Sequence, residues 1–244
     1  MNKILLLPIT LVYYFFFLMV MCFFQPFLWL FFKIFGYKGL KQTFDLVTFL
    51  SLKCSHILGC RYTFENKNFI PKNAPIIFVS NHQSLSDTAG MNWYLRQFHP
   101  AFVTKKELGK GIPSLSYYIR NGSCVMIDRN NPKQAIPQIK TLAEYIEKHN
   151  RSSVIFPEGT RSKNGEPKEF AQSGLKILCK YAPSAYVVPI TINNSWKVYQ
   201  YGYFALSLGH HLFFTVHKPF KVSDYIFEEL INKTEKTIVD GIKL

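Results

Sequence analysis

Acidic residues are scarce in this chain, and its first part has almost no charge at all. Fifteen Asp and Glu stand against 29 Lys and Arg, a formal net charge of +14 over 244 residues. None of the five cysteines (Cys22, Cys54, Cys60, Cys124, Cys179) is spaced Cys-x-x-Cys with another. An odd count without that spacing argues against a disulfide framework or a zinc centre. Free thiols suit a reducing compartment. No Gly-x-Ser-x-Gly occurs, which removes the nucleophile elbow of a hydrolase. No P-loop, finger spacing or reading helix accompanies the basic charge, so nucleic acid is disfavoured as a partner. The charge fits an anionic membrane surface or anionic substrates. No internal repeat, low-complexity tract or long linker divides the chain.

The charge-free stretch runs for 29 residues, from Ile4 to Phe32, between Lys3 and Lys33. A helix crosses the hydrocarbon core with about 20 apolar residues. The run is too long for the apolar part of a signal peptide, and no small-x-small cleavage site comes after it, so a retained anchor is expected. Pro8 and Pro26 interrupt regular helix, and Tyr13, Tyr14 and Trp29 favour the interface. A crossing segment and one that dips in and returns both satisfy this pattern. Residues 38–58 predict a helix with a broad apolar face and scattered Lys38, Lys41 and Lys53. Such a helix either lies in the headgroup plane or packs on the core. The lysine excess on this side predicts that the remainder of the chain is cytosolic, on an inner or cytoplasmic membrane.

Beyond Arg61 the pattern alternates. β-rich runs occur at 62–65, 75–80, 101–104, 123–127, 153–156, 185–192 and 212–216. Helical stretches fall at 85–97, 106–120, 133–149, 170–182 and 223–243. In the third of these, Ile136, Ile139, Leu142, Ala143 and Ile146 stand at helical spacing. Alternating elements predict an α/β fold, a central sheet flanked by helices. The chain then divides into an anchor with interfacial helices, 1–58, and a single α/β domain, 59–244.

Two polar stretches sit where strands end, the place open α/β sheets keep their ligand crevice. Asn81-His82-Gln83-Ser84-Leu85-Ser86-Asp87 follows the strand Ile76–Ser80. Histidine changes charge near neutral pH and can take and return a proton. Asp87 stands where it could accept from the second ring nitrogen, and Ser84 or Ser86 could cap the helix that carries it. Phe156-Pro157-Glu158-Gly159-Thr160-Arg161-Ser162 follows the strand 153–156. Gly159 permits a tight turn or close ligand approach. Arg161 offers a planar fork suited to phosphate, and Lys163 adds a cation. Glu158 either holds Arg161 or holds a substrate hydroxyl. Lys105 and Lys106 follow another strand and could meet phosphate. Asp128 and Arg129 end a further one, where they pair with each other or Arg129 faces the ligand. Structural roles are the competing explanation for each: a satisfied histidine, a surface turn, a solvated helix start.

His82-x4-Asp87, Gly122 through Ile127-Asp128-Arg129, Phe156 through Arg161 and Val188-Pro189-Ile190 stand in the order and spacing of four blocks. In this the chain resembles the PlsC-type branch of the glycerolipid acyltransferases, the 1-acyl-glycerol-3-phosphate acyltransferases. The blocks cover about 81–190, and the apolar N-terminal segment also matches that branch. Cys124-Val125-Met126 departs mildly from the usual aromatic or aliphatic second block, and the fourth block is short.

The resemblance implies a glycerolipid-acyltransferase-like domain held to the membrane by an N-terminal two-helix motif. It implies His82 as general base with Asp87 supporting it. Glu158, Gly159, Thr160 and Arg161 would bind the glycerol phosphate of the acceptor, with Lys105, Lys106 and Lys163 adding to that site. Asn81, Asp128 and Arg129 take supporting roles. No metal and no cofactor are implied; the donor is an acyl thioester of coenzyme A or of acyl carrier protein. The expected reaction moves an acyl group to the sn-2 hydroxyl of 1-acyl-glycerol-3-phosphate, giving phosphatidic acid. The expected partners are the phospholipid membrane, the two substrates and acyl carrier protein, with no nucleic acid. The alternatives are transfer to another lysophospholipid or a lyso-aminolipid, and a non-catalytic lipid-binding protein on the same fold.

Overall fold

The computed structural model describes residues 3–128 and 131–243. Its sheet has eight strands: β1 (Arg61–Glu65), β2 (Ile76–Ser80), β3 (Pro100–Lys105), β4 (Val125–Ile127), β5 (Ser152–Ile155), β6 (Tyr186–Asn193), β7 (His211–Val216) and β8 (Phe220–Lys221). Their order is β1-β7-β6-β2-β5-β3-β4, with β8 on the far end of β6. Strands β6, β2, β5, β3 and β4 run parallel, while β7 and β8 pair antiparallel with β6.

The centre of the sheet derives from its residues. Every residue of β2 is buried, and successive side chains alternate between two cores. Ile77 and Val79 join one cluster under α4 (Pro132–His149), α5 (Gln172–Tyr181) and α7 (Phe227–Asp240). Ile76 and Phe78 join the other, with Met91 and Leu95 from α2 (Ser86–Tyr94) and its end. Helix α4 forms where periodicity predicts and buries Ile139, Leu142, Ala143 and Ile146, while Ile136, in its first turns, stays exposed at 48%. Asn131 caps it by accepting the Gln134 N–H, and Pro132 opens its first turn.

The expected helix over 106–120 is instead a 3₁₀ turn, Lys106–Gly109, followed by α3 (Leu115–Asn121). The interruption spans Lys110–Ser114, where Gly111 turns with φ +93°, Pro113 has no N–H to continue a helix, and Ser114 takes a positive φ of +57°. Ser114 is held there by the first helix: its N–H donates to Gln25 Oε1 and its hydroxyl to the Met21 carbonyl. The short β8 and α6 (Ser195–Val198) also lie outside the predicted elements.

The N-terminal helix α1 spans Leu7–Cys54 and bends at Gly36 (φ +58°, ψ −143°), a conformation essentially confined to glycine. Ile4–Leu58 is long and apolar enough, by length and composition, to cross a membrane. The first arm nevertheless lies along the body. Leu6, Thr10, Tyr13, Met21 and Leu28 are buried at spacings of three, four, seven and eight, one stripe of a helix. Tyr14 donates to the Tyr203 carbonyl near its start, and Phe32 meets Tyr117 edge-on near its end. The outer face is apolar too: Phe15, Phe23, Trp29 and Phe35 are each more than half exposed. The second arm packs on α2 and α3, and Leu40, Phe44 and Val47 share a cluster with Met21, Leu28 and Tyr118.

Candidate active site

The C-terminal ends of β2, β3, β4, β5 and β6 share one sheet edge, because all five run parallel. Asn81 and His82 come after β2, and the Pro157–Lys163 loop after β5. Lys105 and Lys106 lie exposed at the end of β3, and Asp128 comes after β4. Arg129 lies outside the described residues.

Asp87, in the first turn of α2, is completely buried. Its Oδ2 accepts from the His82 ring Nδ1 at 2.9 Å and from the backbone N–H groups of Gln83 and Ser84 at 2.7 and 2.8 Å. Its Oδ1 accepts the hydroxyls of Ser84 and Ser195. A buried carboxylate is costly unless its lone pairs are met, and five donors meet them here. The N-terminus of α2 adds a favourable dipole. Ser84 accepts the Ser86 N–H at 3.1 Å, so the serine side chain also orders the helix start.

With the Nδ1 proton committed to Asp87, Nε2 carries the basic lone pair. The ring stacks on Phe156, centroids 4.2 Å apart. The backbone of His82 is fixed by the second loop: its N–H donates to Glu158 Oε1 at 3.0 Å, and its carbonyl accepts the Ser162 N–H at 2.7 Å. The loop carrying Arg161 is therefore tied directly to the histidine. Of the partners open to Glu158, the structure supplies the His82 backbone; among the described residues no ion pair joins Glu158 to Arg161. The Arg161 guanidinium sits 5.9 Å over the Tyr203 ring. Gly159 turns with φ +68°, closed by its N–H to the Phe156 carbonyl at 3.0 Å.

Two participants, Lys168 and Ser195, lie outside the sequence motifs, and Gln83, inside the first, takes a role not expected of it. Lys168 donates to the Thr160 hydroxyl at 2.8 Å and to the Arg161 carbonyl at 3.1 Å, placing a further cation at the turn. Ser195 reaches Asp87 from the end of β6, and Gln83 Oε1 accepts the Ser195 N–H at 3.1 Å. Their only sequence signal is position: Ser195 comes after the fourth block and Gln83 lies within the first. Lys163 is exposed beyond the turn. Asn81 is buried and exchanges hydrogen bonds with Ile192, at 2.8 and 2.7 Å, extending the β2–β6 pairing past the strand end. Asp128 donates its N–H to Gln134 Oε1 at 2.8 Å. Burial pushes the Cys124 thiol up to about 11 and that of Cys179 to about 12, so neither is an activated nucleophile.

Glu158 is nearly buried, and its Oε2 has no hydrogen-bond partner. Burial raises its pKa from 4.5 to about 7, against the His82 N–H and Lys168, which pull it down. The folded state therefore holds this proton more tightly than the unfolded chain does. Stability should fall as pH rises from about 4.5 through about 7 and level off above. Glu158→Gln keeps an acceptor for His82 and should remove that part of the slope. Thermal unfolding of both proteins from pH 5 to 8 checks it; parallel curves would refute the assignment.

A carboxylate-backed histidine just past a strand end is thus tied to a turn that carries the cations Arg161 and Lys168. The family model described as Acyltransferase matches residues 61–193, more than half of the chain, and the chain belongs to that family. It is 35% identical over 126 residues to a 1-acyl-sn-glycerol-3-phosphate acyltransferase of Helicobacter pylori, covering 50% of each chain. It is likewise 35% identical over 121 residues to one of Cocos nucifera, covering 50% of this chain and 38% of that one. The chain thus spans half or less of the length of these relatives. The crystal structure of the 1-acyl-sn-glycerophosphate acyltransferase PlsC from Thermotoga maritima matches with a TM-score of 0.80 and 27% identity, over 99% of this chain and 96% of that one. The expected PlsC-like α/β fold, a central sheet flanked by helices behind an apolar N-terminal helical segment, is borne out, and the sheet is mixed.

Proposed function

We propose that this chain is a membrane-bound 1-acyl-sn-glycerol-3-phosphate acyltransferase, using an acyl thioester of coenzyme A or acyl carrier protein. The observation that carries the proposal is the double tie at the site: His82 bound to Asp87 at 2.9 Å, and the Arg161 loop bound to the His82 carbonyl at 2.7 Å. Together they set a base beside a basic turn. The acceptor's phosphate meets Arg161 and Lys168, with Lys163, Lys105 and Lys106 enriching the local field. Its free hydroxyl then lies near Nε2. His82 takes the hydroxyl proton as the oxygen attacks the thioester carbonyl. The tetrahedral centre collapses, the C–S bond breaks, and the thiolate recovers the proton from His82. Holding the acceptor by its phosphate makes the attack effectively unimolecular, a positioning effect of up to several kcal/mol.

The inner stripe of the first α1 arm packs on the body while its outer face stays apolar, which favours attachment along one leaflet over a perpendicular crossing. Lysines after the segment favour the cytosolic side.

Purified protein in detergent, a panel of lyso-lipids and both donor types, read by mass spectrometry, tests the proposal. Phosphatidic acid should be the main product. Preference for a lyso-lipid without phosphate, or fatty acid released at the transfer rate without acceptor, would overturn it.

A further inference from the structure

A second basic site lies at the opposite edge of the sheet. A cavity of about 440 Å³ opens where α1 bends, lined by Lys38 and Lys41 after the bend and by Arg96, His99 and Arg151 from the globular part. His99 and Arg151 immediately precede β3 and β5, whereas the candidate active site lies beyond the far ends of those strands. The separation is roughly 17 Å along β5, at 3.3 Å per residue.

Four fixed cations face a single carboxylate, Asp45. That carboxylate is already taken: both of its oxygens accept Lys41 Nζ at 2.6 Å. The two guanidiniums are held by rings rather than by acids. Arg96 lies 3.9 Å over Trp93 and donates to its carbonyl, and Arg151 lies 4.4 Å over Tyr37. Stacking fixes a guanidinium plane while leaving N–H edges to meet an anion. Burial first, then Lys41 and Arg151, lower the His99 pKa, so it enters as a neutral ring.

Position selects the ligand. The outer apolar face of the first arm ends at Ile34 and Phe35, both more than half exposed. Gly36 bends the chain, and Tyr37 and Lys38 already line the cavity. We propose that this cavity binds the phosphate headgroup of an anionic membrane lipid, as a lipid site separate from the acyl-transfer centre. It rests on the membrane half of the function proposed above and goes beyond the reaction.

The test uses the full chain in neutral detergent, with dioctanoyl phosphatidylglycerol as the lipid probe and inorganic phosphate as the free-anion probe. Apparent affinity is read by native mass spectrometry and thermal shift. Arg96→Gln/Arg151→Gln should weaken lipid binding at least tenfold, while Lys176→Gln/Lys236→Gln, equal in charge change but on α5 and α7, which do not line the cavity, should not. Lys38→Glu, at the exposed rim, gives the same comparison should the double variant fold poorly. Equal lipid binding by the cavity and remote variants would overturn the proposal. Phosphate binding as tight as lipid, and equally dependent on Arg151, would overturn the lipid assignment in favour of a free anion. Acyl transfer, scored separately, should survive in both double variants, so failure here is distinct from failure of the proposed reaction.

Discussion

His82→Ala should lower kcat by about 10²–10⁴, or about 3–5 kcal/mol in barrier, with the acceptor KM nearly unchanged. The geometry makes the loss specific to proton transfer. His82 meets Asp87 through Nδ1, leaving Nε2 for the acceptor hydroxyl, and no second histidine stands at that sheet edge among the residues that bind Asp87. Folding should suffer little, since Asp87 keeps four donors: two backbone N–H groups and two hydroxyls. Steady-state kinetics with circular dichroism on the same preparation reads both quantities. Full turnover in the folded variant would end the general-base assignment.

Asp87→Asn should be nearly as damaging, on the order of 10²–10⁴ in kcat, while leaving the fold intact. The amide can keep its oxygen at the Oδ2 position, where the His82 ring and the Gln83 and Ser84 N–H groups all donate. Its NH₂ then faces the hydroxyls of Ser84 and Ser195, which can rotate to accept. Hydrogen bonding is thus preserved, and what disappears is the negative charge that stabilises the imidazolium as the hydroxyl proton arrives. The expected result is a large fall in kcat with little change in Tm. A large loss of stability with turnover retained per folded molecule would instead make Asp87 a structural residue.

The sequence carries local relationships well. A histidine just past a strand end and an aspartate five residues on, in the first turn of the next helix, are close enough in the chain to meet, and they do. The strand at Ile76–Ser80 and the stripe of α4 follow from the local pattern; that the strand's side chains divide between two cores is seen only in the structure. Contact across the chain escapes the local pattern. Ser195 completes the Asp87 shell from 108 residues away. The helix expected over 106–120 is interrupted locally at Gly111 and Pro113, but the positive φ of Ser114 is met by Gln25 and Met21, 89 and 93 residues away. Composition could not choose the inner face of the first α1 arm either, since both faces are apolar and only packing distinguishes them.

That arm bears on how the protein can be handled. A cut at the Gly36 bend would strip the cover from Leu40, Phe44 and Tyr118 and deprive Ser114 of both its acceptors. The greasy segment is a retaining wall of the fold. Water solubility would have to come from repainting its outward side chains with polar ones, because trimming the segment would take part of the core away with it.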